Sequence, residues 1–364
     1  MGSKFILNST SDLFVNISDL STSPPNAFVN PPRSHKPLKL EMVFNIAFFE
    51  KDSFENFLNF NVASEYERAM FRGRELFKPS QKLKEYHKFI NDFIFPYLDV
   101  NAEIVFSYRK GSSTYDAVSK HSESVIFYNT DIQNFFPSIG KDFASIVLTR
   151  NLKNIPIVDI ETYFPKILEF LIIEDSLPVG FSTSPSFSNA VLYCFDCIMK
   201  KHYKDKGVVY TRYADDIIIS SKNESDLHEV HNITARYLSG INNGKFLLNE
   251  KKTKTVRKGS KVKILGMVIL PSGKISVDIK IKKKVEHLIH FYLTNKENFK
   301  KSILKDDKEG KLKNLPDNEI ILSGVKTLSG ILNHINTIDK PYLNKLRKKY
   351  GNVIIDMFFH QNIN

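Results

Sequence analysis

Apolar residues recur at helical spacing over much of the chain. From residue 41 to about residue 100 the pattern is helical, with apolar or aromatic side chains near every third or fourth position over 83–95. A helix beginning at Pro185 places five side chains on one face: Phe187, Val191, Cys194, Phe195 and Ile198. The same spacing predicts helices around 141–152, 161–173 and 225–242, and from Pro341.

Strands are predicted where β-branched and aromatic residues run together. Residues 125–132 form an apolar run that predicts a buried strand ending at Asp131. Two further runs, 208–213 and 217–220, flank Ala214-Asp215-Asp216 and therefore predict a tight hairpin with an acidic tip. A second hairpin is predicted from strands at 261–270 and 274–277, with its turn at 271–273.

The two ends of the chain differ in pattern. Residues 1–40 are polar, contain two Pro-Pro pairs and show no sustained apolar period, so we expect an extended arm. The C-terminal part is rich in lysine and helical. One predicted helix there carries an apolar stripe: Ile321, Val325, Leu328, Leu332 and Ile335.

Composition adds a partner and a compartment to this picture. A chain of 364 residues with 42% apolar content can bury a core and form two or three subdomains. Its formal charge of +12 favours nucleic acid, although surface charge that serves solubility is the alternative. Two cysteines, Cys194 and Cys197, fit a reducing cytoplasm, and no stretch approaches the ~20 apolar residues of a membrane span.

The acidic tip and Asp131 suggest a specific chemistry. Extending a nucleic-acid strand requires deprotonating a 3′-hydroxyl and neutralising a pyrophosphate leaving group, which two divalent ions held by carboxylates can do. Asp215 and Asp216 on a hairpin tip, facing Asp131 at the end of a neighbouring strand, would supply those carboxylates. An Asp-Asp pair alone is more often a solvated turn, but here it borders apolar β sequence.

Several segments, in order along the chain, resemble the motifs of reverse transcriptases. Tyr213-Ala-Asp-Asp216 is similar to their Y-x-D-D motif, and the segment from Asp131 to Ile139 resembles D-I-x-x-F-F-x-S-I. The segment from Leu177 to Pro185, continued by Ser188-Asn189, resembles L-P-Q-G-x-x-T-S-P…S-N. The segments 248–253 and 264–269 match the two motifs that follow the Y-x-D-D hairpin, and 74–84 and 108–111 resemble two upstream motifs, so the resemblance extends from about residue 70 to 350.

The resemblance implies an α+β right-hand polymerase fold with an antiparallel palm sheet and a helical thumb. It assigns an N-terminal extension to residues 1–40 and fingers to 41–127. The palm would occupy 128–275, with a fingers insertion at about 141–177, and the thumb 276–364.

The resemblance also assigns site residues. Asp131, Asp215 and Asp216, with the carbonyl of Ile132, would hold two Mg²⁺ ions. The incoming dNTP would meet a second set of residues: Arg74, Phe136, Val179, Gly180 and Lys252. Among these, Arg74 would grip the triphosphate, Phe136 would exclude a 2′-hydroxyl, and Lys252 would lie near the pyrophosphate. Without the motif, Arg74 and Lys252 read as ordinary surface cations.

Nucleic acid is expected to contact Tyr213, Arg109, Lys110, Lys280 and Lys283, although the lysines could equally belong to a solvated helix face. The sequence departs from the family pattern at Val179, where glutamine is usual. It also lacks the Pro-Lys-Lys run before Arg74, which leaves Arg68 and Arg72 as substitutes.

The compact length and the segment 108–111 look most like bacterial retron and defence-associated reverse transcriptases. Retron enzymes typically carry Val-Thr-Gly where this chain has Ile264-Leu265-Gly266, which favours a non-retron defence enzyme working with a structured non-coding RNA. The alternatives are a template-independent or protein-primed DNA polymerase and a catalytically silent RNA-binding scaffold. The RNA, the priming group, the oligomeric state and any accessory protein or toxin partner stay open.

Overall fold

The structure is a computed structural model that describes residues 37–71, 73–307 and 310–359. The arm predicted for residues 1–40 lies almost wholly outside the described residues, and so does Arg72. Within the described ranges, no helix combines the length and the apolar character needed to cross a bilayer.

α-Helices make up somewhat less than half of the described residues. In chain order they are α1 (Leu40–Ala47), α2 (Phe54–Asn59), α3 (Gln81–Phe93), α4 (Thr114–Ser119), α5 (Lys141–Asn151), α6 (Phe164–Glu169), α7 (Thr183–Val191), α8 (Tyr193–Tyr203), α9 (Val230–Ser239), α10 (Ile279–Thr294), α11 (Lys296–Asp306), α12 (Asp317–Ile338), α13 (Lys340–Tyr350) and α14 (Asn352–Phe359).

The strands form three sheets. They are β1 (Tyr66–Phe71), β2 (Arg74–Pro79), β3 (Ile126–Asp131), β4 (Val208–Tyr213), β5 (Asp216–Ser221), β6 (Lys254–Arg257), β7 (Val262–Ile264), β8 (Met267–Ile269) and β9 (Ile275–Val277). The sheets have the orders β1-β2, β4-β5-β3-β6 and β7-β8-β9. The pairs β1–β2, β3–β6, β7–β8 and β8–β9 are antiparallel, so the expected α+β class with antiparallel sheets is confirmed.

The chain divides into two compact units. The first consists of residues 1–112, 130–218 and 228–253, and the second of 113–129, 219–227 and 254–364. The boundaries expected for fingers, palm and thumb stay predictions.

An aromatic core organises the first unit. Phe57 stacks on Phe170 with ring centroids 5.0 Å apart, and Phe44, Tyr86 and Phe89 pack around the same rings. These five side chains are almost fully buried. Large aromatic side chains contribute most of the apolar area that such a core removes from water.

The second unit is helical around α12. Its buried side chains Val325, Leu328, Leu332 and Ile335 confirm the predicted stripe, which continues through Ile320 rather than the half-buried Ile321. A methyl group at Gly324 would lie 2.6 Å from a ring carbon of Phe299, so the glycine lets α12 pack closely on α11.

Three predicted elements are wrong in detail. The helix predicted from Pro185 is two helices, α7 and α8, because the backbone leaves helical geometry at Leu192. The strand predicted over 261–270 is the β7–β8 hairpin, whose turn residues Leu265 and Gly266 both have positive φ angles, as two-residue hairpin turns require. The helical pattern predicted from residue 41 to about 100 is wrong over the β1–β2 hairpin, which was missed because β1 is largely exposed and shows no alternating apolar face.

Candidate active site

The β4–β5 hairpin presents the acids on a tight turn, which we call the acidic turn and define as residues 213–216. Ile217 and Ile218, directly after it, are almost fully buried, so the strand is anchored in the core up to the point where the acids emerge. Ala214 has a left-handed backbone with φ of 57°. This conformation costs a residue with a Cβ atom roughly 1–2 kcal/mol, so other contacts must hold it.

Backbone hydrogen bonds bring Asp131 beside this turn. Asp131 ends β3, and the amide of the next residue, Ile132, donates to the carbonyl oxygen of Asp215 at 3.3 Å. On the other side, the amide of Asn249 donates to the carbonyl oxygen of Asp131 at 2.8 Å. The structure therefore brings together Asp131, Asp215 and Asp216, as the sequence predicted, within the first unit.

The clustered acids disturb one another's ionisation. The pKa of Asp216 is raised to about 6, first by burial of its surroundings and then by the negative charges of Asp215 and Asp131. The pKa of Asp215 is also raised, mainly by burial, with Asp131 adding repulsion. Lys252 partly offsets this charge, because its ammonium group pairs with Oδ2 of Asp131, which in turn raises the pKa of Lys252.

These residues fit a divalent cation by their chemistry. Oδ1 of Asp131 is buried and has no hydrogen-bond partner in the described part of the chain, and carboxylate oxygens are the ligands that Mg²⁺ prefers. The raised pKa values indicate negative charge that a cation would compensate. Across residues 37–71, 73–307 and 310–359, however, no three acidic, histidine or cysteine side chains stand in the arrangement of a ready metal site. One oxygen of Asp131 is instead paired with Lys252.

A cleft of about 810 Å³ opens in front of the acids. Predicted site residues line it: Arg74, Asp131, Ile132, Phe136, Val179, Asp215 and Lys252. Phe135 and Phe136 both line the cleft, Phe135 as a buried ring and Phe136 as a half-buried one. The contact of Phe136 with the sugar of a nucleotide stays a prediction.

Gly180 lies where the segment after Leu177 packs closely against β2. The amide of Phe77 in β2 donates to the carbonyl oxygen of Val179 at 2.8 Å, so the two segments run in close contact. A Cβ atom at Gly180 would lie 2.2 Å from the carbonyl oxygen of Phe77, and the φ angle of 114° is one that side chains rarely allow. Glycine is therefore required here for packing, and contact of Gly180 with a nucleotide stays a prediction.

The residues predicted to contact nucleic acid are dispersed. The ring of Tyr213 lies 6.4 Å from that of Tyr108, beside the cleft. The guanidinium group of Arg109 donates to the carbonyl oxygens of Ala102 and Val105, which gives it a structural task, while Lys110 is exposed. Lys280 and Lys283 are exposed on α10 in the second unit. Their contact with nucleic acid stays a prediction.

Sequence reasoning gave no role to two residues that contact the acidic turn. Ser107 accepts a hydrogen bond from the amide of Ala214, and Arg212 donates one to its carbonyl oxygen. A charged residue inside an apolar strand, one position before Tyr213, was the available signal for Arg212. Ser107 carried no such signal, because its partner lies 107 positions away.

Comparison with known families gives a match over more than half of the chain. Residues 74–269 match the family described as "Reverse transcriptase (RNA-dependent DNA polymerase)". The matched segment includes all residues that line the cleft from Arg74 to Lys252.

Among characterised proteins, the chain is similar to retron enzymes of Escherichia coli. It is 26% identical to "Retron Ec73 reverse transcriptase" over 287 residues, which cover 76% of this chain and 83% of the relative. It is 22% identical to "Retron Ec86 reverse transcriptase" over 292 residues, covering 77% of this chain and 78% of the relative. The predicted likeness to retron enzymes is therefore confirmed.

Among solved structures, the chain is similar to telomerases. Telomerase from Candida albicans, in complex with a fragment of telomeric RNA, is 12% identical, with a TM-score of 0.43. The match covers 82% of this chain and 66% of that telomerase. Telomerase from Candida tropicalis, in a similar complex, gives 11% identity and a TM-score of 0.44, covering 82% of this chain and 64% of that one. The chain thus spans less than two thirds of either telomerase.

Proposed function

The chain belongs to the reverse transcriptase family, and from this premise we propose that it extends DNA on an RNA template with Asp131, Asp215 and Asp216 as its catalytic acids. The hydrogen bond from the Ile132 amide to the Asp215 carbonyl carries this proposal, because it joins the end of β3 to the acidic turn. Residues more than 80 positions apart thereby share one cleft with Arg74 and Phe136.

Two Mg²⁺ ions are the cofactor assigned to this site. Asp131, Asp215, Asp216 and the carbonyl oxygen of Ile132 would hold them, and the unpartnered Oδ1 of Asp131 supports that assignment. The chemistry that such ions would supply at this site is activation of the primer hydroxyl and neutralisation of charge on the pyrophosphate. Burial and, after it, the charges of neighbouring acids raise the pKa values of Asp215 and Asp216, and a bound cation would stabilise both carboxylates against these effects.

The side chains around the acids would select and orient the nucleotide. Arg74 is exposed at the start of β2 and offers a planar guanidinium group to phosphate oxygens. Phe136 presents a half-buried ring to the cleft, where it would exclude the 2′-hydroxyl of a ribonucleotide. Lys252 already carries its positive charge among the acids, close to where the pyrophosphate would leave. Val179 offers only an apolar surface where the family usually has an amide.

The template is proposed to be a structured non-coding RNA, and the pathway to be bacterial anti-phage defence in the cytoplasm. The similarity to retron enzymes and the formal charge of +12 support an RNA partner. Exposed Lys280 and Lys283 on α10, with Arg109, Lys110 and Tyr213, would contact the template and the DNA product. An accessory protein or a second copy of the chain would complete such a system.

Copying of a defined template tests the proposal. Purified protein is incubated with Mg²⁺, a primed RNA of known sequence and either dNTPs or NTPs, beside an Asp215→Asn/Asp216→Asn variant. The expected product is DNA complementary to the template, made by the wild type alone. DNA of random sequence would favour the untemplated polymerase, RNA products would refute the role of Phe136, and no product would favour the silent scaffold.

The natural template is identified by sequencing the RNA that copurifies with the protein from its host. One enriched, structured transcript, with matching DNA in the same cells, is the expected result. A broad sample of cellular RNA would contradict the dedicated template while leaving the polymerase activity intact.

A further inference from the structure

A buried polar network lies directly beneath the acidic turn. We call it the turn network and define it by five residues: Ser107, Asn189, Asp196, Tyr210 and Arg212. All five are buried, and Asp196, Ser107 and Arg212 have no exposed surface. Buried polar groups persist only when their hydrogen bonds are satisfied, so the contacts of this network determine what it does.

Arg212 is the centre of the network. Its guanidinium group forms a paired contact with Asp196, with nitrogen to oxygen distances of 2.9 Å and 2.6 Å. Its Nη1 donates to the carbonyl oxygen of Ala214 at 2.9 Å, and its Nη2 donates to the carbonyl oxygen of Asn189 at 3.2 Å. The hydroxyl group of Tyr210 donates to Asp196 at 2.7 Å. The ion pair is thus neutral as a whole, and one guanidinium nitrogen remains committed to the turn.

Ser107 holds the other side of the same residue. Its Oγ accepts the amide of Ala214 at 2.8 Å and donates to Oδ1 of Asn189 at 3.0 Å. The side-chain amide of Asn189 donates back to the carbonyl oxygen of Ser107 at 2.9 Å. Both polar backbone groups of Ala214 are therefore bound by the network, one by Ser107 and one by Arg212.

The segment before Ser107 is itself fixed to β4. The amide of Arg212 donates to the carbonyl oxygen of Ile104 at 2.9 Å, and the amide of Phe106 donates to the carbonyl oxygen of Arg212 at 3.0 Å. These bonds set the register between the two segments. Ser107 consequently reaches Ala214 without freedom to slide along the strand.

We propose that Ser107 and Arg212 are positioning residues, which hold Ala214 in its left-handed conformation and thereby orient Asp215, which lines the cleft, and the adjacent Asp216. The inference rests on the proposed function, because it concerns the carboxylates of that site. Ala214 carries a Cβ atom, so the left-handed turn depends on the two bonds rather than on the intrinsic preference of the residue. Glycine at this position would adopt the same backbone without them.

Ser107→Ala is the first test, because it removes one hydroxyl and leaves the buried ion pair intact. We expect the backbone amide of Ala214 to exchange hydrogen for deuterium at least about tenfold faster, since it loses its acceptor. We also expect kcat for DNA synthesis to fall about tenfold or more while KM for dNTP stays within about twofold. The half-saturating Mg²⁺ concentration should rise.

The matched control is Thr234→Val. Thr234 is also buried in the first unit, and its hydroxyl group donates to the carbonyl oxygen of Val230 within α9. This variant loses a buried hydroxyl hydrogen bond that involves no residue of the acidic turn or of the turn network. It should change neither the exchange of the Ala214 amide nor the Mg²⁺ requirement.

Rescue separates positioning from a general loss of packing. The second variant, Ala214→Gly, is combined with Ser107→Ala, because glycine reaches the left-handed conformation without help. We expect the double variant to recover most of the kcat that Ser107→Ala loses, about fivefold or more. Arg212→Lys would break the contacts of Asp196 as well and lower the melting temperature. The decisive comparison is therefore between Ser107→Ala and the double variant Ser107→Ala/Ala214→Gly.

The outcomes are distinguishable from those of the proposed function. If the wild type makes no DNA, the proposed function fails, and the exchange of the Ala214 amide then tests the positioning role by itself. Unchanged exchange in Ser107→Ala would refute that role, and faster exchange would support it. If the wild type makes DNA, a Ser107→Ala protein with unchanged kcat and Mg²⁺ requirement, or one that Ala214→Gly does not rescue, overturns the inference alone.

Discussion

The acidic turn and the β1–β2 hairpin line the same cleft, yet they are held in different ways. At the turn, both polar backbone groups of Ala214 are bound by buried hydrogen bonds from Ser107 and Arg212. The hairpin is mostly exposed, and Met70 near its end keeps 71% of its surface in solvent. The contrast indicates that the geometry of the acids is preset, whereas Arg74 is carried on an element with one buried face.

That buried face explains how the hairpin is attached at all. Phe77 of β2 and Tyr66 of β1 both pack edge-on against Phe181, with ring centroids 6.4 Å and 5.9 Å away. Phe181 in turn lies 4.6 Å from the ring of His87 in α3. On the outer face, Arg68 forms surface ion pairs with Glu75 and Glu174, which solvent screens, so they add little to the attachment.

The largest expected effect is at the preset side. Asp215→Asn/Asp216→Asn should lower kcat by about a thousandfold or more, because the amides neither bind two cations nor carry charge. The melting temperature should stay the same or rise, since the change removes charges that repel each other. Single-turnover primer extension and thermal unfolding measure both. A marked loss of stability would contradict the view that the carboxylates repel each other in the folded protein.

Gly180→Ala should damage the attachment of the hairpin. The added methyl group meets the carbonyl oxygen of Phe77 and requires a backbone conformation that alanine disfavours. We expect the free energy of unfolding to fall by about 2 kcal/mol or more, measured by denaturant titration. Gly207→Ala is the control, because its φ angle is also positive but nothing lies near its Cβ position. Equal losses in the two variants would mean that backbone strain alone, and not contact with β2, explains Gly180.

Arg74→Ala sharpens the comparison from the nucleotide side. We expect KM for dNTP to rise about tenfold with kcat reduced less, because an exposed arginine that contacts phosphate contributes mainly to binding. The melting temperature should not change, as Arg74 is exposed. Arg68→Ala is the matched control on the same hairpin and should alter KM by less than about twofold. The reverse pattern would assign the triphosphate to Arg68.

The smallest effect concerns acid stability beneath the hairpin. Burial lowers the pKa of His87 to about 4, so the folded state favours the neutral form of the ring. The stabilisation is complete above about pH 6.5 and is lost as the pH falls from 6.5 through 4, because the unfolded chain takes up the proton first. We compare the free energy of unfolding of His87→Phe with that of the wild type at both pH values. From pH 7 to pH 5, this difference should shift by roughly 2 kcal/mol in favour of the variant. An equal difference in unfolding free energy at pH 5 and pH 7 would contradict the lowered pKa of His87 in the folded state.

The sequence predicted the elements that bury continuous apolar runs and missed those that do not. β3, β4 and β5 follow from their Ile and Val content, and the triad follows from the motifs around it. The β1–β2 hairpin and the break at Leu192 have no such local signal. The hairpin packs its aromatic side chains on Phe181, which lies far along the chain.

The contacts that hold the acids in place could not be predicted from the sequence either. The bond between Ser107 and Ala214 spans 107 positions, and the pairing of Lys252 with Asp131 spans 121. The motif named both Lys252 and Asp131, but not their contact. Sequence therefore identifies which residues meet in the cleft and leaves unstated what fixes their orientation.

The neutral Arg212–Asp196 pair has a consequence for ionic strength. Neither side chain has any exposed surface, so dissolved ions reach neither charge, and Debye screening leaves the pair almost unchanged. Added salt weakens contacts between exposed lysines and a polyanion much more strongly. Potassium chloride should consequently reduce template affinity long before it alters the turnover rate of the fully bound complex.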